Sequence, residues 1–319
     1  MRLQDCLARV DNDYPLLDWK SILALIPQIT ASFVIPVYNS EDSIIEVLEA
    51  IEAQELGQLI REVIIIDDGS TDQSGMLIRE YIAKSALRVI YRRNKYRRYA
   101  AFSRNRGTRL ASADVICFID SDIVVPPDYL NYHLSLHQQY GGVISLSFRC
   151  FIDKEAFLAK ADPFPVQQYT GEFRIEAHIK QEWCDTRERE GFAGKTVRLL
   201  EETDYLRGLG NGKSHFWTLP EVCLTCSVTY KREDVLRVKG SPENFVGWGG
   251  NDISMAAKII SLGRYVVPVT CGVYHLKHPE RSGGSRGIEF AANRIRYRKM
   301  LTLEQENTFE YFIVGLDEI

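Results

Sequence analysis

The chain has 319 residues, 45% hydrophobic and 26% charged, with 39 Lys and Arg against 43 Asp and Glu for a net charge of -4 at pH 7. That length supports a substantial core in one large domain or two smaller ones, and so mild a charge argues against nucleic acid or an anionic membrane as the main partner. No apolar run approaches the roughly 20 residues that span a bilayer; Asp5, Asp11 and Asp13 interrupt any leader-like start, so the cytoplasm is the expected location. The seven cysteines are scattered, which argues against a disulfide framework. Cys117 falls within an apolar strand, and Cys223-Leu224-Thr225-Cys226 lacks the second pair that a zinc ribbon needs.

In chain order, residues 18–29 read as a short amphipathic helix, and everything before Ala31 as an extension. Residues 32–38 read as a strand in which Pro36 marks the end of regular pairing. A helix follows from Ser40, with Ile44, Val47, Leu48 and Ile51 on its apolar face. Residues 63–66 are a second strand running into Asp67-Asp68-Gly69-Ser70, after which a helix passes through Met76 and Tyr81. Residues 87–91 form a third strand, 100–111 a helix, and 115–119 a short apolar strand that ends on Asp120-Ser121-Asp122. Strand and helix alternate with short connections, the pattern of an α/β fold with a mostly parallel sheet and helices on both faces. Farther on, residues 142–148, 222–230 and 265–269 read as strands and 251–262 as a helix, while 151–219 show no clear rhythm.

The loops after the strands carry the chemistry. Asp120 and Asp122, one residue apart at the carboxyl end of a buried strand, suit a hard divalent cation that also holds a diphosphate. The plain alternative is a turn or a helix cap. In Val273-Tyr274-His275-Leu276-Lys277-His278 a neutral imidazole is a good manganese ligand; His275 fits best and His278 second, with an ordinary surface histidine as the alternative. Residues 88–109 hold eight further arginines and lysines after Arg88, interleaved with four aromatics from Tyr91 to Phe102, which a solvated face or a nucleic-acid patch would also explain. Gly208-Leu209-Gly210-Asn211-Gly212-Lys213-Ser214 ends like a phosphate-binding loop, but Arg207 stands where that pattern needs Gly. The dinucleotide glycine fingerprint is missing after the first strand.

Taken in order, Pro36-Val37-Tyr38-Asn39, Asp67-Asp68-Gly69-Ser70 and Asp120-Ser121-Asp122 resemble the inverting glycosyltransferases of family 2, which have the Rossmann-like GT-A fold. Phe245-Val246-Gly247-Trp248-Gly249-Gly250-Asn251-Asp252 is similar to the Trp-Gly-Gly-Glu-Asp segment of galactosyltransferase-type C-terminal regions. The resemblance implies a metal-dependent enzyme, using Mn2+ or Mg2+, that moves a sugar from a nucleotide sugar, most naturally a UDP-sugar, to a hydroxyl of a saccharide, metabolite or peptide. It implies a nucleotide-sugar-binding subdomain at 31–140 and an acceptor-binding, catalytic subdomain at 141–290, with 1–30 as extension and 291–319 as tail. Pro36, Tyr38 and Asp68 would then border the base, and Arg98 and Arg104 would contact nucleotide or diphosphate. Asp120 would sit nearer the ribose or complete the metal shell, Ser121 would belong to the same nucleotide-binding loop, and Asp122 and His275 would hold the metal. Trp248, Gly249, Gly250 and Asn251 would line the sugar site, and Asp252 would be the general base. The basic loop Arg281–Gly287 has the composition of a lid closing over a diphosphate, with an ordinary exposed loop as the equal alternative.

Asn251 departs from that family, which has Glu there; the base is intact, but the acceptor and the level of activity are opened to question. Two other readings compete: a catalytically silent sugar-nucleotide-binding protein, and a nucleic-acid-binding module built on residues 88–109. A nucleotidyltransferase would need a glycine-rich loop after the first strand, which is missing. Without a membrane span, the chain would meet a soluble acceptor or bind peripherally to a membrane enzyme complex.

Overall fold

The structure, a computed structural model, describes residues 1–10, 12, 14, 17–160, 172, 174, 197–198, 213–214, 219–278 and 286–310. Eight strands form one mixed, mostly parallel sheet: β1 (Ala31–Val37), β2 (Ile60–Asp67), β3 (Val89–Arg93), β4 (Val115–Ile119), β5 (Ile123–Val124), β6 (Val143–Ile152), β9 (Ser227–Lys231) and β10 (Tyr265–Leu276), in the order β3-β2-β1-β4-β9-β6-β10-β5. β9 runs antiparallel to β4 and β6, and β5 antiparallel to β10. A separate antiparallel pair joins β7 (Val197–Arg198) and β8 (Lys213–Ser214).

Both faces of the sheet are buried, and the pleat divides its side chains between two cores. Val34, Ile64, Ile66, Ile116 and Phe118 point into one, which the helices Leu3–Arg9, Asn251–Ile260 and Arg286–Leu301 cover. Their neighbours Phe33, Ile35, Ile65, Cys117 and Ile119 point into the other, beneath the helices Ile44–Glu52 and Tyr129–Tyr140. This explains why the strands read as continuous apolar runs rather than as alternating ones. The described cysteines are free thiols, and Cys117, Cys223 and Cys226 are buried.

Several boundaries differ from the sequence reading. The helix expected over 18–29 spans only Trp19–Leu23, capped by Asp18. Pairing of β1 with β4 stops at Val34, two residues before Pro36, but pairing with β2 continues to Val37. The strand expected from Val222 begins at Ser227, because Leu219–Val222 is a helical turn that Pro220 suits. β10 runs on to Leu276, past the expected end at Val269. The N-terminal residues are built into the fold: the Leu3 N–H bonds the Leu303 carbonyl at 2.8 Å, and Leu3 and Leu7 lie in one core. The expected lid lies outside the described residues except Arg286 and Gly287, as does the glycine-rich 208–214 segment except Lys213 and Ser214. No helix among the described residues is long and apolar enough to cross a membrane.

Candidate active site

The ends of β1, β2 and β4 open on one cleft of about 710 Å³, into which Pro36, Tyr38, Asp68, Arg104, Asp120, Ser121, Asp122 and the whole segment 247–252 project. Residues from both halves of the chain therefore share one surface. β9 makes this possible: running antiparallel to β4, it starts where β4 ends, and the Asp120 N–H donates to the Cys226 carbonyl at 3.2 Å.

At the β2 end, buried Asp68 ties down the basic loop. Its Oδ1 accepts from Asn94 Nδ2 at 2.7 Å and the Arg98 N–H at 2.8 Å, and its Oδ2 from the Tyr99 N–H at 2.7 Å. Burial raises the Asp68 pKa, while these bonds and Arg97 pull it back. Tyr99 is held at φ 64, a conformation that persists in a non-glycine residue only when its surroundings impose it. The same loop puts Arg97, not Arg98, in the cleft: its guanidinium lies 3.9 Å from the Tyr38 ring and 4.9 Å from that of Tyr99. Arg98 instead stacks on Phe102 at 4.1 Å. The choice between the two adjacent arginines depends on the loop turn, which no local pattern encodes. Three other arginines of this run pair with separate carboxylates, Arg88 with Glu62, Arg93 with Asp67 and Arg109 with Glu243, while Arg106 donates to Asn94 Oδ1.

Arg104 is the hub of the cleft. It is buried, with Nη2 2.6 Å from Asp120 Oδ1, and Nη1 3.7 Å from Asp252 Oδ1 and 3.3 Å from Asn251 Oδ1. Burial opposes its charge, but Asp120 and Asp252 outweigh that and raise its pKa. Asp252 is raised as well, chiefly by burial; Arg104 pulls it down, Asp120 pushes it up and Thr225 pulls it back. Ser121 faces away from these charges, its hydroxyl 2.7 Å from that of Ser40 while its carbonyl accepts from Ser43 Oγ.

Asp122 meets both histidines. β5 pairs with β10 so that Ile123 lies opposite His275, and the Leu276 N–H donates to the Asp122 carbonyl at 2.9 Å. His275 Nε2 then lies 3.2 Å from Asp122 Oδ1 and His278 Nε2 3.0 Å from Oδ2. One ligand atom from each of the three residues lies within 4.8 Å of the others, a carboxylate and imidazole set suited to a divalent transition metal. His278, the second choice from sequence, stands beside His275 in this cluster.

Gly247, Gly249 and Gly250 have φ of 79, 83 and 87, and a Cβ at each would collide with Glu289, Phe290 or Phe245 and Asn293. Close approach here is to Phe245 and to the protein's own helix Arg286–Leu301. Fully buried Asn293 spreads its Nδ2 over the carbonyls of Val246, Trp248 and Gly249 at 3.1, 3.1 and 2.8 Å, and Glu289 accepts from the Trp248 N–H at 2.9 Å. Trp248 is 49% exposed beside Phe290, ring centroids 5.4 Å apart. Sequence reading left Asn293 in a tail; the available signal was a polar residue in helical phase with Phe290, Tyr297 and Met300.

Comparison with known proteins agrees with this layout. Residues 32–192 match the model for glycosyl transferase family 2, and residues 213–279 one described as the N-terminal domain of galactosyltransferase. Validoxylamine A glucosyltransferase of Streptomyces hygroscopicus subsp. limoneus is 28% identical over 245 residues, 75% of this chain and 49% of its own length. Chondroitin synthase of Pasteurella multocida is 20% identical over 306 residues, 89% of this chain and 29% of its own. The chain thus spans about half or less of the length of these relatives. The structure of GalNAc-T7 with UDP, GalNAc and Mn2+ superposes with a TM-score of 0.57 at 15% identity, covering 85% of this chain and 48% of that one, so the fold is of GT-A type. The family match over residues 32–192 covers half the chain, and on that ground the chain belongs to glycosyl transferase family 2.

Proposed function

We propose that this chain transfers a sugar from a nucleotide sugar, preferentially a UDP-sugar, to an acceptor hydroxyl with inversion at the anomeric carbon. The observation that carries this reading is the convergence of Asp68, Asp120, Asp122 and Asp252 on one cleft, with the two histidines against Asp122 and Arg104 between Asp120 and Asp252. Tyr38 and Arg97 form a flat wall for the base, and Asp68, with lone pairs beyond the three bonds it accepts, takes a base N–H. Asp120, with Ser121 behind it, faces the ribose. Asp122, His275 and His278 would hold a divalent cation, which would supply Lewis-acid neutralisation of the diphosphate; their two imidazoles favour a transition metal such as Mn2+ over Mg2+. Relatives point the same way: GalNAc-T7 was solved with UDP and Mn2+.

Asp252 acts as the base. It takes the proton of the acceptor hydroxyl as that oxygen bonds to the anomeric carbon, and the carbon–oxygen bond to the diphosphate breaks with its electron pair leaving on the nucleoside diphosphate. Arg104 acts through the two carboxylates, fixing their directions. Trp248 and Phe290 supply an apolar ledge for a sugar ring. The acceptor is bound by the C-terminal part of the chain. The pairing of Arg88, Arg93 and Arg109 with separate carboxylates weighs against the nucleic-acid reading.

The test is calorimetric titration with UDP, with and without Mn2+, together with UDP release from UDP-sugars. Mn2+-dependent binding should weaken at least about tenfold in Asp122→Asn. Asp252→Asn should retain UDP binding and lose about 10²–10⁴ of the turnover. No nucleotide binding by the wild type, or full turnover in Asp252→Asn, overturns the proposal.

A further inference from the structure

We infer that the acceptor presents, next to the hydroxyl that reacts, an oxygen that accepts hydrogen bonds and has no proton to give, as in the carboxylate of a uronic acid or the carbonyl of an N-acyl amino sugar. This inference rests on the transferase reading. It comes from the orientation of Asn251, which lines the cleft beside Asp252. Arginine has donors and no acceptor, so the Asn251 atom that faces Arg104 Nη1 at 3.3 Å must be the amide oxygen. The rest of the residue is held as firmly: Gly250 precedes it in the left-handed region, and its carbonyl accepts from Ser254 Oγ at 2.8 Å and Ser241 Oγ at 3.4 Å.

With Oδ1 fixed on Arg104, Nδ2 is turned away from it, and no described residue accepts a hydrogen bond from that nitrogen. The two neighbours thus offer opposite chemistry, since Asp252 accepts and Asn251 donates. A glutamate at 251 would accept from an acceptor hydroxyl; the amide donates instead, and a carboxylate or acyl carbonyl oxygen takes that bond more strongly than a hydroxyl oxygen does. Charge favours the same class. Arg104 is shared between Asp120 and Asp252, so a third carboxylate at 251 would leave the cleft with excess negative charge and repel an anionic acceptor, whereas a neutral amide does not.

The experiment measures binding of methyl glucuronide, methyl N-acetylglucosaminide and methyl glucoside to the full chain saturated with UDP and Mn2+. The wild type should prefer one of the first two over the glucoside by about tenfold, and which one distinguishes carboxylate from acyl carbonyl. Asn251→Asp, nearly isosteric, should remove that preference when assayed at UDP and Mn2+ concentrations that still saturate the variant, and Asn251→Glu should shift it toward the glucoside; melting curves of both variants check that they fold. Equal binding of the three probes, binding of none, or a preference untouched in Asn251→Asp overturns the inference. Failure of the wild type to bind UDP and Mn2+ in the first step would instead overturn the transferase reading.

Discussion

Arg104 shows how one buried side chain sets the chemistry of two others. It pulls the Asp252 carboxyl down against the upward push of burial and Asp120, and a base of this kind works only when ionised. Removing the cation in Arg104→Gln should therefore raise the Asp252 pKa further and move the acidic fall-off of kcat/KM to higher pH. A pH–rate profile checks this, and an unchanged or lowered limb would show that Arg104 does not act on Asp252. At this scale the four aspartates singled out from sequence, Asp68, Asp120, Asp122 and Asp252, line one cleft because they sit at strand or helix ends whose direction is local. Sequence reading was weaker for cations, as the exchange of Arg98 for Arg97 shows: long side chains reach wherever the loop beneath them turns.

Two elements owe their role to contacts that periodicity does not announce. The helix Arg286–Leu301 shapes the Trp248 loop through Asn293, whose amide is the main partner of three carbonyls. Asn293→Ala strands those groups and should cost about 1–3 kcal/mol of stability. It should also lower kcat far more than UDP affinity, as denaturant titration and kinetics at saturating donor would show. The helix Tyr129–Tyr140 turns two histidines into the core, where His133 bonds Ser145 at 2.7 Å and Ser147 at 3.1 Å, and His137 bonds Thr229 at 2.8 Å. Burial lowers both pKa values, that of His137 from 6.5 to about 3. The neutral folded form is thus at no disadvantage above pH 6.5, while below it the unfolded chain binds protons that the folded one refuses. Stability should fall by up to about 1.4 kcal/mol per pH unit through His137 between that pH and about 3, with His133 adding a loss of the same sign. His137→Gln should flatten the slope, which urea melts across that range would measure.

Over the whole molecule, the first residues and the last helices hold each other on one face of the sheet. The Leu3 side chain is fully buried in the core that also contains Met300 and Leu301, the Arg2 and Glu304 backbones pair in an antiparallel β-bridge, and the Met1 ammonium pairs with the Glu304 carboxylate. Leu3→Ala should cost about 2–5 kcal/mol, read from guanidinium unfolding midpoints; a loss under about 0.5 kcal/mol would mean that this segment is only draped over the surface. The sheet has a comparable logic: β9 enters between β4 and β6 in the opposite direction and thereby brings the C-terminal half of the chain to the carboxylates of the first half.

Sequence alone determined the βα alternation, the apolar strands β1, β2 and β4, and the loops that end them on aspartates, because strand period, helix period and turn chemistry act over a few neighbouring residues. It also pointed to the Trp248–Asp252 segment and to His275 as chemically loaded. Only the tertiary structure decided that His278 joins His275 on Asp122, that Arg104 spans Asp120 and Asp252, and that Asn293 governs the glycine loop. Each of these joins residues brought together by strand order or helix packing, such as β5 on β10 or Arg286–Leu301 on the Trp248 loop. Such pairings depend on which surfaces are buried together across the molecule, and a residue's neighbours in sequence carry no record of them.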